Sequence, residues 1–181
     1  MVFRYPRNAR ERRHGPRGYA DYQSHKPWLR DEFEFRCVYC QCRERWFPDG
    51  DDSFSVDHVI PRSRAPELAC EYENLAYACC RCNSAKQDAL GVPDPCQQPY
   101  GIHVEVLADG TIRGLAPQGT FLIRACRLDR PKLTEFRCGI LELFRVLQNR
   151  GGKDASQLQR RFFGFPLNLP NLSDLTLHFL N

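Results

Sequence analysis

The sequence contains no uninterrupted apolar run close to the ~20 residues that a membrane-spanning helix needs, which argues against a helical membrane protein. Its basic beginning, MVFRYPRNARERRHGPRG, leads into no apolar segment of the secretory kind, so the expected location is the cytoplasm. No internal repeat and no long low-complexity tract is present, which removes repeat arrays. Net charge is also scarce, at +4 over 181 residues, but that small figure hides an asymmetry. Residues 1–30 hold eight basic against two acidic side chains, residues 31–90 seven against twelve, and residues 91–181 eleven against eight. A basic arm beside an acidic middle suits a phosphate-gripping segment next to a cation site.

Cysteine is not scarce. Ten occur, and in an exported chain they would suggest a disulfide scaffold. The lack of an export signal and the short pairwise spacing favour a metal instead. Cys37-Val-Tyr-Cys40 and Cys79-Cys80-Arg81-Cys82 each present two thiolates at a two-residue spacing, and zinc takes four such ligands in a tetrahedron. Cys42 and Cys80 are left over, because using either would require a tighter spacing. Four cysteines leave no open coordination position, so the expected zinc is structural and chemistry must lie between the two pairs.

Three segments are expected: a basic arm at 1–30, a core at 31–90 and a C-terminal module at 91–181. RNARERRHGPRG reads as a flexible arm, and PWLRDEFEF as a short helix. After the proline-rich VPDPCQQPYG, the alternation in IHVEVLADGTIRGL around Asp109-Gly110 predicts a β-hairpin. GTFLIRACRL predicts a short helix. A longer one starts near Pro131 with Asp129 as its cap, carries Leu133, Phe136, Ile140, Phe144 and Leu147 along one face, and stops at Arg150-Gly151-Gly152. DASQLQRRFFG adds a final helical stretch before a leucine-rich, proline-broken tail.

Between the cysteine pairs, SVDHVIPRSR reads as a strand running into a turn, with Asp57 and His58 adjacent. Adjacent strand residues face opposite ways, so a bulge or bend is expected if both serve one site. A helix starting at the second pair would put Asn83 and Lys86 on one face. The carboxylate of Asp57 and the amide oxygen of Asn83 are hard donors suited to Mg2+ or Mn2+, and His58 is suited to accept a proton.

CVYC, VDHVIPRSR and ENLAYACCRCNSAK, in this order and spacing, resemble the HNH, or ββα-metal, endonucleases that carry an accessory zinc site. The resemblance covers residues 36–88. It implies an α+β chain: a small zinc-stapled ββα-metal core of the His-Me finger type, with a basic N-terminal arm and a C-terminal hairpin plus helices. By this resemblance His58 is the general base, Asp57 and Asn83 are ligands of the catalytic Mg2+ or Mn2+, and Asn74 steadies the loop and orients the histidine. Cys37, Cys40, Cys79 and Cys82 hold structural zinc. Lys86 would approach the scissile phosphate, and Arg62, Arg64, Arg12 and Arg13 would contact the nucleic-acid backbone. The implied reaction is hydrolysis of DNA (RNA as the alternative substrate) to 5′-phosphate and 3′-hydroxyl ends. One such unit carries one nucleophile, so nicking is the default and double-strand cleavage requires a homodimer or two encounters. The rival readings are a zinc-stapled nucleic-acid-binding adaptor and a subunit latent until joined to a larger, defence-type assembly. The joint presence of Asp57, His58, Asn74 and Asn83 speaks against the adaptor.

Overall fold

A computed structural model of the chain describes residues 2–165 and Leu172, so most of the leucine-rich tail lies outside the described residues. Four short strands and five α-helices, with six short 3-10 turns among them, make up the described chain. Strands β1 (Phe54–His58) and β2 (Leu75–Cys79) form an antiparallel hairpin in the register Phe54 opposite Cys79, Asp57 opposite Ala76 and His58 opposite Leu75. Every residue of β2 is buried, as befits a strand covered on both faces. Helix α2 (Cys80–Lys86) follows β2 without a loop, because Cys79 keeps an extended backbone and serves as its N-cap residue. This ββα unit positions the site, and the whole is an α+β arrangement with a buried four-cysteine cluster.

Helix α1 (Lys26–Glu32) buries Trp28, Leu29 and Glu32. It is shorter than PWLRDEFEF suggested, since Glu34 and Phe35 take positive φ values of 54° and 56° that end the helix. The expected hairpin is present as β3 (Val104–Val106) paired with β4 (Ile112–Gly114). Between them Asp109 accepts from the Thr111 N–H at 2.9 Å, and Gly110 adopts φ +85°. Helix α3 spans Pro117–Ala125, α4 Pro131–Arg150 and α5 Gly152–Phe163. Arg130, not Asp129, is the N-cap residue of α4, with no side-chain cap bond. On the inner face of α4 Leu133 and Leu147 are buried as expected, but Phe136 is 36% exposed and Arg137 is fully buried.

One buried cluster extends from Val2 to Leu133, so all three segments contribute to the same core. The N-terminal stretch does not behave as the flexible arm its composition suggests. Val2, Phe3 and Tyr5 are buried, and the Arg10 N–H donates to the Cys96 carbonyl at 3.1 Å. Glu32, fully buried on α1, then accepts from the backbone N–H groups of Arg13 and His14 at 2.9 and 3.1 Å, and from the Tyr72 hydroxyl at 3.4 Å. A carboxylate satisfied by several donors offsets the cost of its burial. Glu32→Ala should therefore lower stability by roughly 2–3 kcal/mol, by leaving two inward-facing N–H groups without an acceptor. Thermal unfolding together with limited proteolysis near residue 13 measures this, and an unchanged melting temperature would show that the arm is held by other contacts.

Candidate active site and structural metal centre

The four expected cysteines converge. One Sγ from each of Cys37, Cys40, Cys79 and Cys82 lies within 4.8 Å of the other three, and all four residues are buried. Cys40 Sγ and Cys79 Sγ are 3.8 Å apart. Zn–S bonds of about 2.3 Å in a tetrahedron separate sulfurs by roughly 3.8 Å, the spacing of the Cys40–Cys79 pair, so the cluster is compatible with a zinc site. Cys42 is buried outside the cluster and Cys80 is exposed. A zinc tetrathiolate carries a double negative charge, and Arg130 meets it from outside: its two terminal nitrogens lie 3.6 and 3.7 Å from Cys82 Sγ. Nothing in the residue spacing announces Arg130, which is 48 residues away from Cys82 in the chain.

Asp57, His58 and Asn83 line a single cleft of ≈ 500 Å³, together with Tyr22, Arg62 and others. No bulge is needed to bring the adjacent Asp57 and His58 together: the β1–β2 register is unbroken through His58. Asp57 faces α2, while His58 faces Tyr22 and the Ala69 carbonyl. Both border the cleft because the strand ends there.

His58 Nε2 is 3.0 Å from the Ala69 carbonyl, which can only accept, so Nε2 carries the proton and Nδ1 the free lone pair. Tyr22 packs edge-on against the imidazole at 4.8 Å. Burial lowers the His58 pKa below the ordinary 6.5, against the opposing effects of the Ala69 carbonyl and Asp57. The lowered pKa favours the neutral imidazole at neutral pH.

Asn74 is 6% exposed and accepts the Ile60 N–H at 2.8 Å, while its amide donates to the carbonyls of Ile60 and Leu68 at 3.1 and 3.2 Å. It thus ties the loop after His58 to the start of β2. Asn83 donates through Nδ2 to Ser55 Oγ at 2.8 Å and to the Val56 carbonyl at 3.4 Å. These bonds tie the amide to β1 through its nitrogen.

Lys86 departs from its expected place beside a phosphate. Its side chain is fully buried, and Nζ lies 3.3 Å from the Asp57 carboxylate and 2.6 Å from the His58 carbonyl. Tyr39, the second middle residue of the first cysteine pair, donates its hydroxyl to Asp57 Oδ2. Burial raises the Asp57 pKa, while Lys86 and then Tyr39 oppose the rise. The carboxylate thus meets Lys86 at both oxygens, the Tyr39 hydroxyl and the His58 backbone N–H. Asp57 and Asn83 both border the cleft, and their oxygens are of the hard kind that divalent cations take.

Of the expected backbone contacts, Arg62 lines the cleft and lies over the Tyr22 ring at 5.2 Å, and Arg64 is exposed outside the lining. Arg12 is engaged elsewhere: its guanidinium donates to the carbonyls of Glu73 and Leu75 at 3.2 and 2.7 Å, on either side of Asn74. Arg13 pairs with Asp31 and Glu32. Tyr22, Tyr39 and Ser55 were missed in the sequence; only the position of Tyr39 inside a cysteine pair could have drawn notice.

Residues 37–89 match the family model described as HNH endonuclease. The Septu protein PtuB of Bacillus thuringiensis is 35% identical over 51 residues, a stretch that makes up 28% of this chain and 19% of that protein. The chain thus matches about a fifth of the length of that relative. The matched segment contains both cysteine pairs, β1, β2 and α2.

Two outcomes follow from the geometry. Lys86→Met leaves the Asp57 carboxylate buried without its cation and should cost about 3–5 kcal/mol, read by chemical denaturation; a loss below 1 kcal/mol would place Lys86 outside the structural frame. Arg130→Gln should weaken zinc retention about tenfold in competition with a chromogenic chelator, the usual scale for a partner of a metal ligand. Unchanged retention would show that the Cys82 thiolate does not depend on Arg130.

Proposed function

We propose, taking residues 37–89 as an HNH endonuclease domain, that this chain hydrolyses phosphodiester bonds of DNA with one catalytic Mg2+ or Mn2+ and His58 as the general base. The observation that carries the reading is the convergence of Asp57, His58 and Asn83 on one cleft, with the imidazole held by the Ala69 carbonyl at Nε2. Asp57 and Asn83 would hold the divalent ion, which when bound supplies stabilisation of the charge that develops on the phosphate and on the leaving 3′ oxygen. His58 Nδ1 accepts the proton of the attacking water. The Ala69 carbonyl and the Tyr22 ring hold the imidazole in the orientation that this requires. Asn74 keeps the loop carrying Ala69 in place through its bond to the Leu68 carbonyl. Lys86 acts as a positioning residue for Asp57, and Arg62 at the rim is the side chain best placed for a backbone phosphate.

A second reading, a nuclease subunit completed by a partner, is favoured by the apolar surface of α4, α5 and the residue beyond them. Val146 is 54% exposed, Leu158 42%, Phe162 40% and Phe165 52%. Light scattering on the eluted protein separates the two: a monomer that cuts alone favours the first.

His58→Ala should reduce nicking of supercoiled plasmid by 10²–10⁴-fold while zinc content and folding persist. The rate should also depend on pH in one direction. Cleavage needs the neutral imidazole, and burial holds its pKa below 6.5, so the rate climbs below that value and is level at pH 7 and above. Initial rates from pH 5 to 8 in Mg2+ test this. A midpoint above 7, or a His58→Ala protein that cuts at the original rate, would assign the base elsewhere.

A further inference from the structure

A second cleft, of ≈ 380 Å³, shares no lining residue with the first. Arg4, Arg7, Arg10 and Arg36 line it, against the single carboxylate of Glu34, which is already paired with Arg36. Arg4 and Arg7 are exposed and make no hydrogen bond or ion pair among the described residues. The Arg10 guanidinium lies over the Phe33 ring at 5.4 Å and gives one hydrogen bond, to the Glu32 carbonyl at 3.1 Å. Arg36 Nε is buried with no partner among the described residues.

Like charges on a loose arm would separate into solvent. These are prevented from doing so because the backbone that carries them is fastened on both sides of Arg7. The Tyr5 hydroxyl donates to the Tyr39 carbonyl at 2.6 Å, the Pro6 carbonyl accepts the Gly101 N–H at 2.7 Å, and the Arg10 N–H meets Cys96. The approach at Gly101 is so close that a Cβ there would stand 2.5 Å from the Pro6 oxygen and 2.6 Å from the Tyr5 oxygen. Glycine is required, and the arm cannot lift without breaking this contact.

We propose that this cleft binds phosphate groups, and that their source is the backbone of the nucleic-acid substrate at a distance from the cut. Several planar guanidinium forks facing one concavity match the tetrahedral phosphate oxygens and give affinity without sequence preference. Tyr39 links the cleft to the catalytic centre, since its carbonyl accepts from Tyr5 while its hydroxyl donates to Asp57. The choice of nucleic acid as the source rests on the endonuclease reading, whereas the phosphate chemistry of the cleft does not.

The test compares the full chain with the double variant Arg4→Gln/Arg7→Gln, both side chains being exposed and outside the active-site cleft. Anisotropy of a short labelled duplex is followed across a salt series, with zinc content and melting temperature as folding controls. The double variant should bind about tenfold more weakly at physiological salt. Its slope of log affinity against log salt should be shallower by about 1.8, the release expected for two lost phosphate contacts. Equal affinity and slope would overturn the proposal. A separate titration with inorganic pyrophosphate identifies the source: if pyrophosphate binds through Arg4 and Arg7 while the duplex does not, the phosphate site stands and its ligand is a free phosphate compound. Polyglutamate displacing the duplex as well as pyrophosphate does, at matched ionic strength, would overturn the phosphate class in favour of an acidic peptide. Plasmid nicking by the unaltered chain is scored independently, so a failed endonuclease reading and a failed cleft are told apart.

Discussion

Four sulfurs drawn to within 4.8 Å of one another are the constraint on which the rest of the molecule depends. The cluster joins a turn at residues 37–40 to the junction of β2 and α2, and that junction has no slack because Cys79 ends the strand and Cys82 lies in the helix. Asn83 follows directly, so its amide is placed against β1 by the metal-binding segment itself. The turn at 37–40 carries Tyr39, whose hydroxyl reaches Asp57 from the other side. The cysteine cluster therefore joins both flanks of the cleft, and a metal held by four cysteines would have no open position for chemistry. A hairpin of two five-residue strands has little apolar surface of its own, and metal binding supplies folding free energy that such a unit lacks.

Charge is the second organising principle, through the few charged side chains that are turned inward. Asp57 is buried with Lys86, Glu32 with the arm's backbone, and Arg137 with the Leu128 carbonyl at 2.8 Å. Arg130 lies against Cys82. A buried ion pair adds little to net stability, but removing one partner is costly, so such pairs select one arrangement over its neighbours. In the cleft the consequence is chemical: Asp57 is kept close to the helix that presents Asn83, and burial keeps His58 neutral.

The cysteine spacing, the Asp-Gly hairpin and the long α4 helix were legible because each depends on residues close in the chain. The two-residue cysteine spacing selects zinc, the turn selects a tight reversal, and the apolar period selects a helix. The roles of charged residues were not legible in the same way. Arg12 and Lys86 look like solvent-facing or phosphate-seeking side chains, yet their partners are Leu75, 63 residues on, and Asp57, 29 residues back. Composition made the N-terminal stretch an arm, but buried Val2, Phe3 and Tyr5 and the backbone contacts to Glu32, Cys96 and Gly101 pack it against the core. Arg137 interrupts the apolar stripe of α4 and still lies inside, a placement that no periodicity rule assigns. Among the site residues, Asp57, His58 and Asn83 do line one cleft, while Tyr22 and Tyr39 became visible only through tertiary contacts.

The measurement closest to the centre of this account is X-ray absorption at the zinc edge, combined with elemental analysis of the purified chain. The account predicts one zinc per chain surrounded by four sulfurs at about 2.3 Å, with no nitrogen or oxygen neighbour. A chain that folds without zinc, or one whose zinc carries oxygen or nitrogen ligands, would contradict it and detach the placement of Asn83 and Tyr39 from the cysteine cluster.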